Sequence, residues 1–260
     1  MKKVEDEPKL ELTPQAPKKG TWTILNKDLL PSRGKYYPND ITVRKLNAQE
    51  IKDLTKLPAG NVAAANAQFN LIISNCLQGV DVNDILINDK LWLMYYLRSI
   101  TYYDQPYEVK YTCPVCGSVT KEKYVLNKLL VNYYDKELPK EITLPNGDVV
   151  EPTWPTIGTE KAIKALKENP QIIEVIDDEL LTIVSHIKTI NGKKMSLYDL
   201  FTYFTGDDSR GSGYDFAYFC NSFKKYIFGA RPYFTVECAC GETNYCEIGL
   251  TPDFFLPNLD

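Results

Sequence analysis

Four of the seven cysteines are spaced so that they could bind a metal ion. Cys113 and Cys116 are separated by two residues, Cys238 and Cys240 by one, and a glycine follows each pair. Thiolates are preferred ligands of Zn²⁺, and a structural zinc site takes four ligands in a tetrahedron. We therefore predict that these four cysteines bind a structural Zn²⁺ ion, with Cys246 as a substitute for one ligand of the second pair.

Other interpretations of these cysteines stay open. Cys113 and Cys116 could form a redox pair, although such pairs usually lie between a strand and a helix. All four thiols could also be unligated. A disulfide framework is not expected, because the number of cysteines is odd and the first 20 residues lack the apolar segment of a signal peptide.

Each cysteine pair is predicted to lie in the turn of a β-hairpin. Strand-like sequences flank the first pair over residues 106–112 and 118–125, and the second pair over residues 233–237 and 243–248. A turn between two strands directs both thiols to one point, and the following glycine allows a tight backbone turn. Two such hairpins that face each other would form a zinc-ribbon-like element from distant parts of the chain.

The remaining residues predict a mostly helical body with short β-hairpins, so the expected fold class is α+β. Asn47 and Glu50 have the spacing of a helix capping box, and Asn146-Gly147 favours a tight hairpin turn within residues 142–150. A strand is predicted over residues 41–46. Apolar periodicity and helix-ending residues predict helices over residues 47–57, 61–77, 88–102, 159–168, 177–188, 196–204 and 215–228.

The chain is expected to divide into segments of different character. Residues 1–20 would form a tail that is solvated or becomes ordered on a partner. Residues 21–105 would contain a strand and helices, and residues 126–232 would be mainly helical. Residues 106–125 and 233–250 would form the split zinc ribbon, and residues 251–260 a C-terminal tail.

Composition excludes several classes of protein. With 12% aromatic residues, the chain is not disordered throughout. Its longest dense apolar run has seven residues, over 91–97, whereas a membrane-spanning helix needs about 20. A net charge of -4 gives no electrostatic reason to expect nucleic acid as a partner.

No group of residues has the spacing of a catalytic site. His186 is the only histidine, lies in an apolar helical pattern and has no nucleophile or orienting acid at a diagnostic spacing. The glycine-rich residues 206–213 lack the ending of a phosphate-binding loop. The sequence therefore predicts a protein that is not an enzyme. Four tyrosines could belong either to the core or to an interface: Tyr102, Tyr103, Tyr133 and Tyr134.

Several motifs occur in an order typical of one protein family. They are Leu-Pro-Ser-Arg-Gly-Lys-Tyr-Tyr-Pro over residues 30–38, Ile-Thr-Val-Arg-Lys-Leu over 41–46, the two cysteine pairs, and Phe-Phe-Leu-Pro over 254–257. Together they resemble the T4-type bacteriophage baseplate hub subunit family. The resemblance extends over residues 22–257, which is nearly the whole chain.

This resemblance implies a non-enzymatic virion protein of a contractile-tailed bacteriophage. It would contact other baseplate and hub proteins, take no small-molecule substrate, assemble in the host cytoplasm and reside in the tail baseplate. The alternatives are a hub assembly chaperone absent from the mature virion, and an unrelated zinc-ribbon binding protein. Arg33, Lys35, Tyr36 and Tyr37 are predicted to bind a partner, because Arg33 and Lys35 can pair with its carboxylates or carbonyl groups.

Overall fold

The computed structural model describes residues 21–57, 61–125, 128–169, 177–206 and 210–256. The predicted N-terminal tail lies outside these ranges, and the division into segments stays a prediction. The described part contains seven α-helices. They are α1 (Ala48–Thr55), α2 (Val62–Cys76), α3 (Ile87–Thr101), α4 (Ile157–Lys167), α5 (Asp178–Val184), α6 (Leu197–Thr205) and α7 (Gly213–Lys224).

Local sequence explains where several of these helices begin. At the start of α1, the backbone N–H of Glu50 donates to the side chain of Asn47, and the backbone N–H of Asn47 donates to Glu50. This confirms the predicted capping box. Ser196 begins α6 and Ser212 begins α7 in the same reciprocal way, each with an aspartate three residues later. These caps supply partners for backbone N–H groups that a helix leaves unpaired in its first turn.

The described strands form small antiparallel sheets. One sheet contains β1 (Thr23–Ile24), β2 (Thr42–Val43) and β3 (Leu77–Gln78), and a larger one contains β7 (Ile142–Thr143), β8 (Val149–Pro152), β9 (Ile187–Ile190) and β10 (Lys193–Lys194). Three further pairs join β4 (Tyr107–Thr112) to β5 (Val119–Tyr124), β6 (Leu130–Asn132) to β11 (Gly229–Arg231), and β12 (Tyr233–Glu237) to β13 (Thr243–Glu247). The mixture of helices and short strands confirms the α+β class, although helices dominate only modestly.

Helix α3 lies at the centre of the hydrophobic core. Its side chains are buried around most of its circumference, and Trp92, Leu93, Met94, Tyr95 and Leu97 are all almost inaccessible to solvent. A helix with large apolar side chains on most sides is stable only when other elements cover it. Helices α2 and α4 and strand β11 contact it.

The C-terminal residues Phe254 and Phe255 belong to the core. Phe254 packs edge-on against Tyr95 of α3 and Tyr107 of β4, with ring centroids 5.1 and 5.2 Å apart. Its carbonyl oxygen accepts a 2.6 Å hydrogen bond from Nε of Arg98. These contacts connect the first cysteine hairpin to the helical body and place the start of the predicted C-terminal tail inside the protein.

The helix predicted over residues 177–188 is shorter in the structure. Helix α5 ends at Val184, and β9 begins at Ile187. The intervening His186 carbonyl accepts a hydrogen bond from the backbone N–H of Thr153, next to β8. Pairing with β8 therefore overrides the helical periodicity. The strand predicted over residues 41–46 is also shorter in the structure, where β2 contains only Thr42 and Val43.

Candidate metal centre

The two cysteine pairs lie in turns with the same hydrogen-bond pattern. In the first turn, between β4 and β5, Cys113 N–H donates to Ser118 O and Gly117 N–H to Cys113 O. In the second, between β12 and β13, Cys238 N–H donates to Glu242 O and Gly241 N–H to Cys238 O. The second turn is one residue shorter but closes with the same two bonds. Gly117 and Gly241 have φ values of +72° and +88°, which favour glycine.

The structure brings the four predicted ligands together. The sulfur atoms of Cys113, Cys116, Cys238 and Cys240 all lie within 4.8 Å of one another. Two of the separations are 3.9 Å, from Cys113 to Cys240, and 3.5 Å, from Cys116 to Cys238. A tetrahedron of Zn–S bonds of about 2.3 Å places the sulfurs about 3.8 Å apart. The donor set and its dimensions therefore fit a zinc ion, and the ligands are contributed by hairpins more than 120 residues apart.

Hydrogen-bond donors surround the sulfur atoms. The hydroxyl oxygen of Ser118 lies 3.1 Å from Sγ of both Cys116 and Cys238, and Nδ2 of Asn244 lies 3.8 Å from Sγ of Cys113. The backbone N–H of Cys240 and the Ser118 hydroxyl lower the pKa of Cys238 to about 6. The Ser118 hydroxyl also lowers the pKa of Cys116. These donors favour the thiolate forms of Cys116 and Cys238, and metal ligation requires thiolates. The cysteine spacing gave no signal for Ser118 or Asn244.

The other cysteines lie outside this cluster. Cys246 is buried in β13 opposite Phe234 and is not a member of the group of four. Burial raises its pKa. Cys76 is fully buried in α2, and burial raises its pKa to about 12, as for a cysteine that packs in the core as a small apolar side chain.

A family model described as T4 bacteriophage base plate protein matches residues 23–256. The match begins at β1, ends after the buried Phe254 and Phe255, and includes both cysteine hairpins. The chain belongs to the T4 bacteriophage base plate protein family. No curated protein and no solved structure matches it. Membership in this family makes the chain a structural protein of the phage tail baseplate, where its partners are other proteins.

The segment 30–38 of this base plate protein is attached to α3 by a buried carboxylate. Asp89 accepts a 2.9 Å bond from the backbone N–H of Ser32 and a 2.7 Å bond from the hydroxyl of Tyr37. The Tyr37 hydroxyl in turn accepts a bond from the backbone N–H of Leu86. Asp89 is completely buried, and that burial raises its pKa. Nothing in the sequence distinguishes Asp89, because an acidic residue in the first turn of a helix is ordinary.

Three of the four predicted partner-binding residues are exposed. Arg33 stacks over the ring of Tyr133 with its guanidinium carbon 4.3 Å from the centroid, and Lys35 lies 4.9 Å above the ring of Tyr134. Tyr36 is 40% exposed, whereas Tyr37 is buried. Direct contact with a partner is therefore open to Arg33, Lys35 and Tyr36, and Tyr37 instead anchors the segment.

His186 packs between aromatic rings and has no catalytic neighbours among the described residues. Its ring lies edge-on to Trp154 and Phe223, with centroids 6.0 and 4.7 Å away, and Nδ1 lies 3.0 Å from the carbonyl oxygen of Thr182. Burial lowers its pKa. This surrounding is that of a structural histidine. None of the helices in the described ranges is long and apolar enough to cross a membrane.

Proposed function

We propose that this base plate protein is a subunit of the baseplate hub of a contractile tail, stabilised by a zinc ion bound to Cys113, Cys116, Cys238 and Cys240. It acts by binding other hub proteins after synthesis in the host cytoplasm, and it performs no catalysis. The observation that carries the zinc assignment is the convergence of four sulfur atoms at separations suited to tetrahedral Zn²⁺.

The chemistry of the donor set supports a structural role for the metal. Catalytic zinc sites keep one position open for water or substrate, whereas four thiolates occupy every position of a tetrahedron. The ion would join two hairpins from distant parts of the chain and thereby make them one rigid unit. Rigidity of this kind suits a protein that presents fixed surfaces to neighbouring subunits.

Metal analysis of the purified full chain tests the zinc assignment. We expect one zinc ion per chain in the wild type and strongly reduced zinc in Cys113→Ser and Cys238→Ser variants. Cys220→Ser is the matched control, because Cys220 lies on α7, outside the cluster. Wild-type protein that is folded but contains no stoichiometric metal would contradict the assignment.

Quantitative mass spectrometry of purified phage particles tests the hub location. A subunit of the hub should occur in a fixed ratio to other baseplate proteins in the mature particle. A hub assembly chaperone would instead occur in assembly intermediates and be missing from the particle. Absence from the mature particle would therefore replace the hub-subunit proposal with the chaperone.

Charge reversal of the exposed cations in segment 30–38 tests partner binding. We expect Arg33→Glu combined with Lys35→Glu to reduce incorporation into baseplates, because both cations would lose their attraction to partner carboxylates. The matched control is Lys193→Glu with Lys194→Glu, which reverses two exposed lysines on β10. Equal incorporation of both double variants, measured per particle, would refute partner binding by this segment.

A further inference from the structure

The two cysteine hairpins pack against each other with one face each. Tyr124 of β5 contacts Phe234 of β12, with ring centroids 5.6 Å apart, and Asn244 of β13 lies 3.8 Å from Sγ of Cys113 in the turn after β4. Because side chains alternate between the two sides of a strand, the residues next to these inner ones point outward. The pair of hairpins therefore has two outer faces, one on each hairpin, which lie on different sides of it.

The outer face of β4–β5, hereafter the basic face, carries mostly positive charge. It contains the exposed side chains of Lys110, Lys121 and Lys123, and one acidic side chain, that of Glu108. Glu108 lies 3.3 Å from Lys121, which leaves the other two lysines without an ion pair among the described residues. Glu122, the acidic residue between Lys121 and Lys123, points to the inner side of β5. The basic face therefore has an excess of positive charge.

The pairing of the strands brings two of these lysines together. Lys110 lies directly opposite Lys121 in the antiparallel register of β4 and β5. Like charges that face each other across two strands destabilise a hairpin. An anionic surface placed over this face would relieve that repulsion.

The outer face of β12–β13, hereafter the acidic face, carries only negative charge. Glu237 and Glu247 lie on it, and Glu242 lies in the turn at its end. All three side chains are exposed, and none forms an ion pair within the described ranges. Residues 232–250 contain no lysine, arginine or histidine, and Arg231, just before them, donates to a tyrosine hydroxyl. The second hairpin therefore has no cation of its own to neutralise these carboxylates.

Each face also exposes large apolar side chains. Tyr245 on the acidic face is 74% exposed and lies edge-on to Tyr233, with ring centroids 6.1 Å apart. Val119 on the basic face is 64% exposed. Exposed tyrosines are enriched at protein interfaces, and a lysine ammonium is attracted to the face of an aromatic ring. The two faces thus match in character and are opposite in charge.

We propose that these faces bind each other between copies of this protein, with the basic face of one copy on the acidic face of the next. Opposite charges favour this docking and disfavour the pairing of two like faces. A contact between two different faces of one chain leaves a free face on each end, so copies continue to add until a ring closes. The inference goes beyond the proposed hub function and does not depend on it, because it concerns contacts of the chain with itself.

Sedimentation velocity of the purified full chain tests this inference. We expect association beyond a dimer that grows with protein concentration at low salt and falls as salt is added, because salt screens exposed charges. Lys110→Glu with Lys123→Glu, and separately Glu237→Lys with Glu247→Lys, should each weaken association about tenfold or more. The matched control is Lys193→Glu with Lys194→Glu on β10, which makes the same change in net charge as the first pair and should associate like the wild type.

A mixture of the two double variants separates a specific contact from a general effect of charge. Each variant alone has two faces of the same sign, whereas the mixture again offers faces of opposite sign. We expect the mixture to associate about as strongly as the wild type. Thermal melting and metal analysis check that each variant is folded. The single variant Lys110→Glu removes the like-charge pair within the hairpin, and it carries the test if a double variant does not fold.

Three results would overturn the inference. They are a wild-type chain that stays monomeric at low salt, a control that weakens association as much as the variants do, and folded double variants that do not associate when mixed. A monomeric chain whose variants enter baseplates poorly would assign the two faces to another base plate protein. Metal analysis and mass spectrometry of particles test the proposed function separately, so either proposal can fail alone.

Discussion

His186 links single-residue packing to the pH dependence of stability. Burial against Trp154 and Phe223 lowers its pKa below the usual value of about 6.5, so the folded protein holds the ring neutral. The unfolded chain binds a proton more readily at this residue. The free energy of unfolding therefore falls as the pH drops below about 6.5, toward the lowered pKa of His186 in the folded protein, and it rises again as the pH returns to 6.5.

A His186→Phe variant tests this account. Phenylalanine retains an aromatic ring beside Trp154 and Phe223 but cannot be protonated, and the variant contains no histidine at all. We expect the free energy of unfolding of the wild type to fall more between pH 7.5 and pH 5.5 than that of the variant, measured by urea unfolding. Equal losses in the two proteins would show that His186 does not contribute to the pH dependence.

Asp89 shows how one residue can position a surface without belonging to it. It accepts bonds from Ser32 and Tyr37, which lie 57 and 52 residues earlier in the chain. Nothing in its local sequence distinguishes it from the acidic residues that favour any helix N-terminus. Its role depends on which distant donors the fold places beside it.

At the scale of elements, turns that contain glycine differ in how much space they leave for a Cβ atom. Gly79 follows β3 with a φ of +90°, and a Cβ there would lie 2.0 Å from the carbonyl oxygen of Asp40. Gly192, in the turn between β9 and β10, has a φ of +72° and open space around it. Substitution at Gly79 thus meets both an unfavourable backbone conformation and a steric clash, whereas substitution at Gly192 meets only the first.

Alanine substitution at the two positions should separate these effects. We expect Gly192→Ala to lower the free energy of unfolding by about 1–2 kcal/mol, the cost of a left-handed conformation for a residue with a Cβ. Gly79→Ala should cost about 3 kcal/mol or more, because the chain must also move away from Asp40. Chemical denaturation of both variants measures the difference, and similar values would contradict the steric argument.

At the scale of the whole molecule, several contacts hold the cysteine hairpins. The cysteine cluster joins β4–β5 to β12–β13. Phe254 packs against Tyr95 and Tyr107, which joins β4 to the helical core, and the Tyr95 hydroxyl donates to the carbonyl oxygen of Ile248, just after β13. Structural zinc contributes on the order of 10 kcal/mol to folding in small peptide systems, so the proposed ion would be the strongest of these connections.

Removal of the metal should therefore loosen the hairpins first. After chelation, we expect faster amide hydrogen exchange in β4, β5, β12 and β13, with a smaller change in α3, which is covered by other core elements. Addition of zinc should restore protection. Unchanged exchange in the hairpins after verified removal of the metal would refute a structural role for the ion.

The sequence alone determined the features that depend on neighbouring residues: the two cysteine turns with their glycines, the capping box of Asn47 and Glu50, and the approximate limits of α2 and α3. It also indicated an α+β fold, because periodicity and turn residues act over a few positions. The tertiary structure alone decided that Cys246 stays outside the group of four sulfurs, that Tyr37 is buried, and that α5 ends early beside β8. These features depend on contacts between residues far apart in the chain, and such contacts form only when the packed core repays the entropy of bringing those residues together.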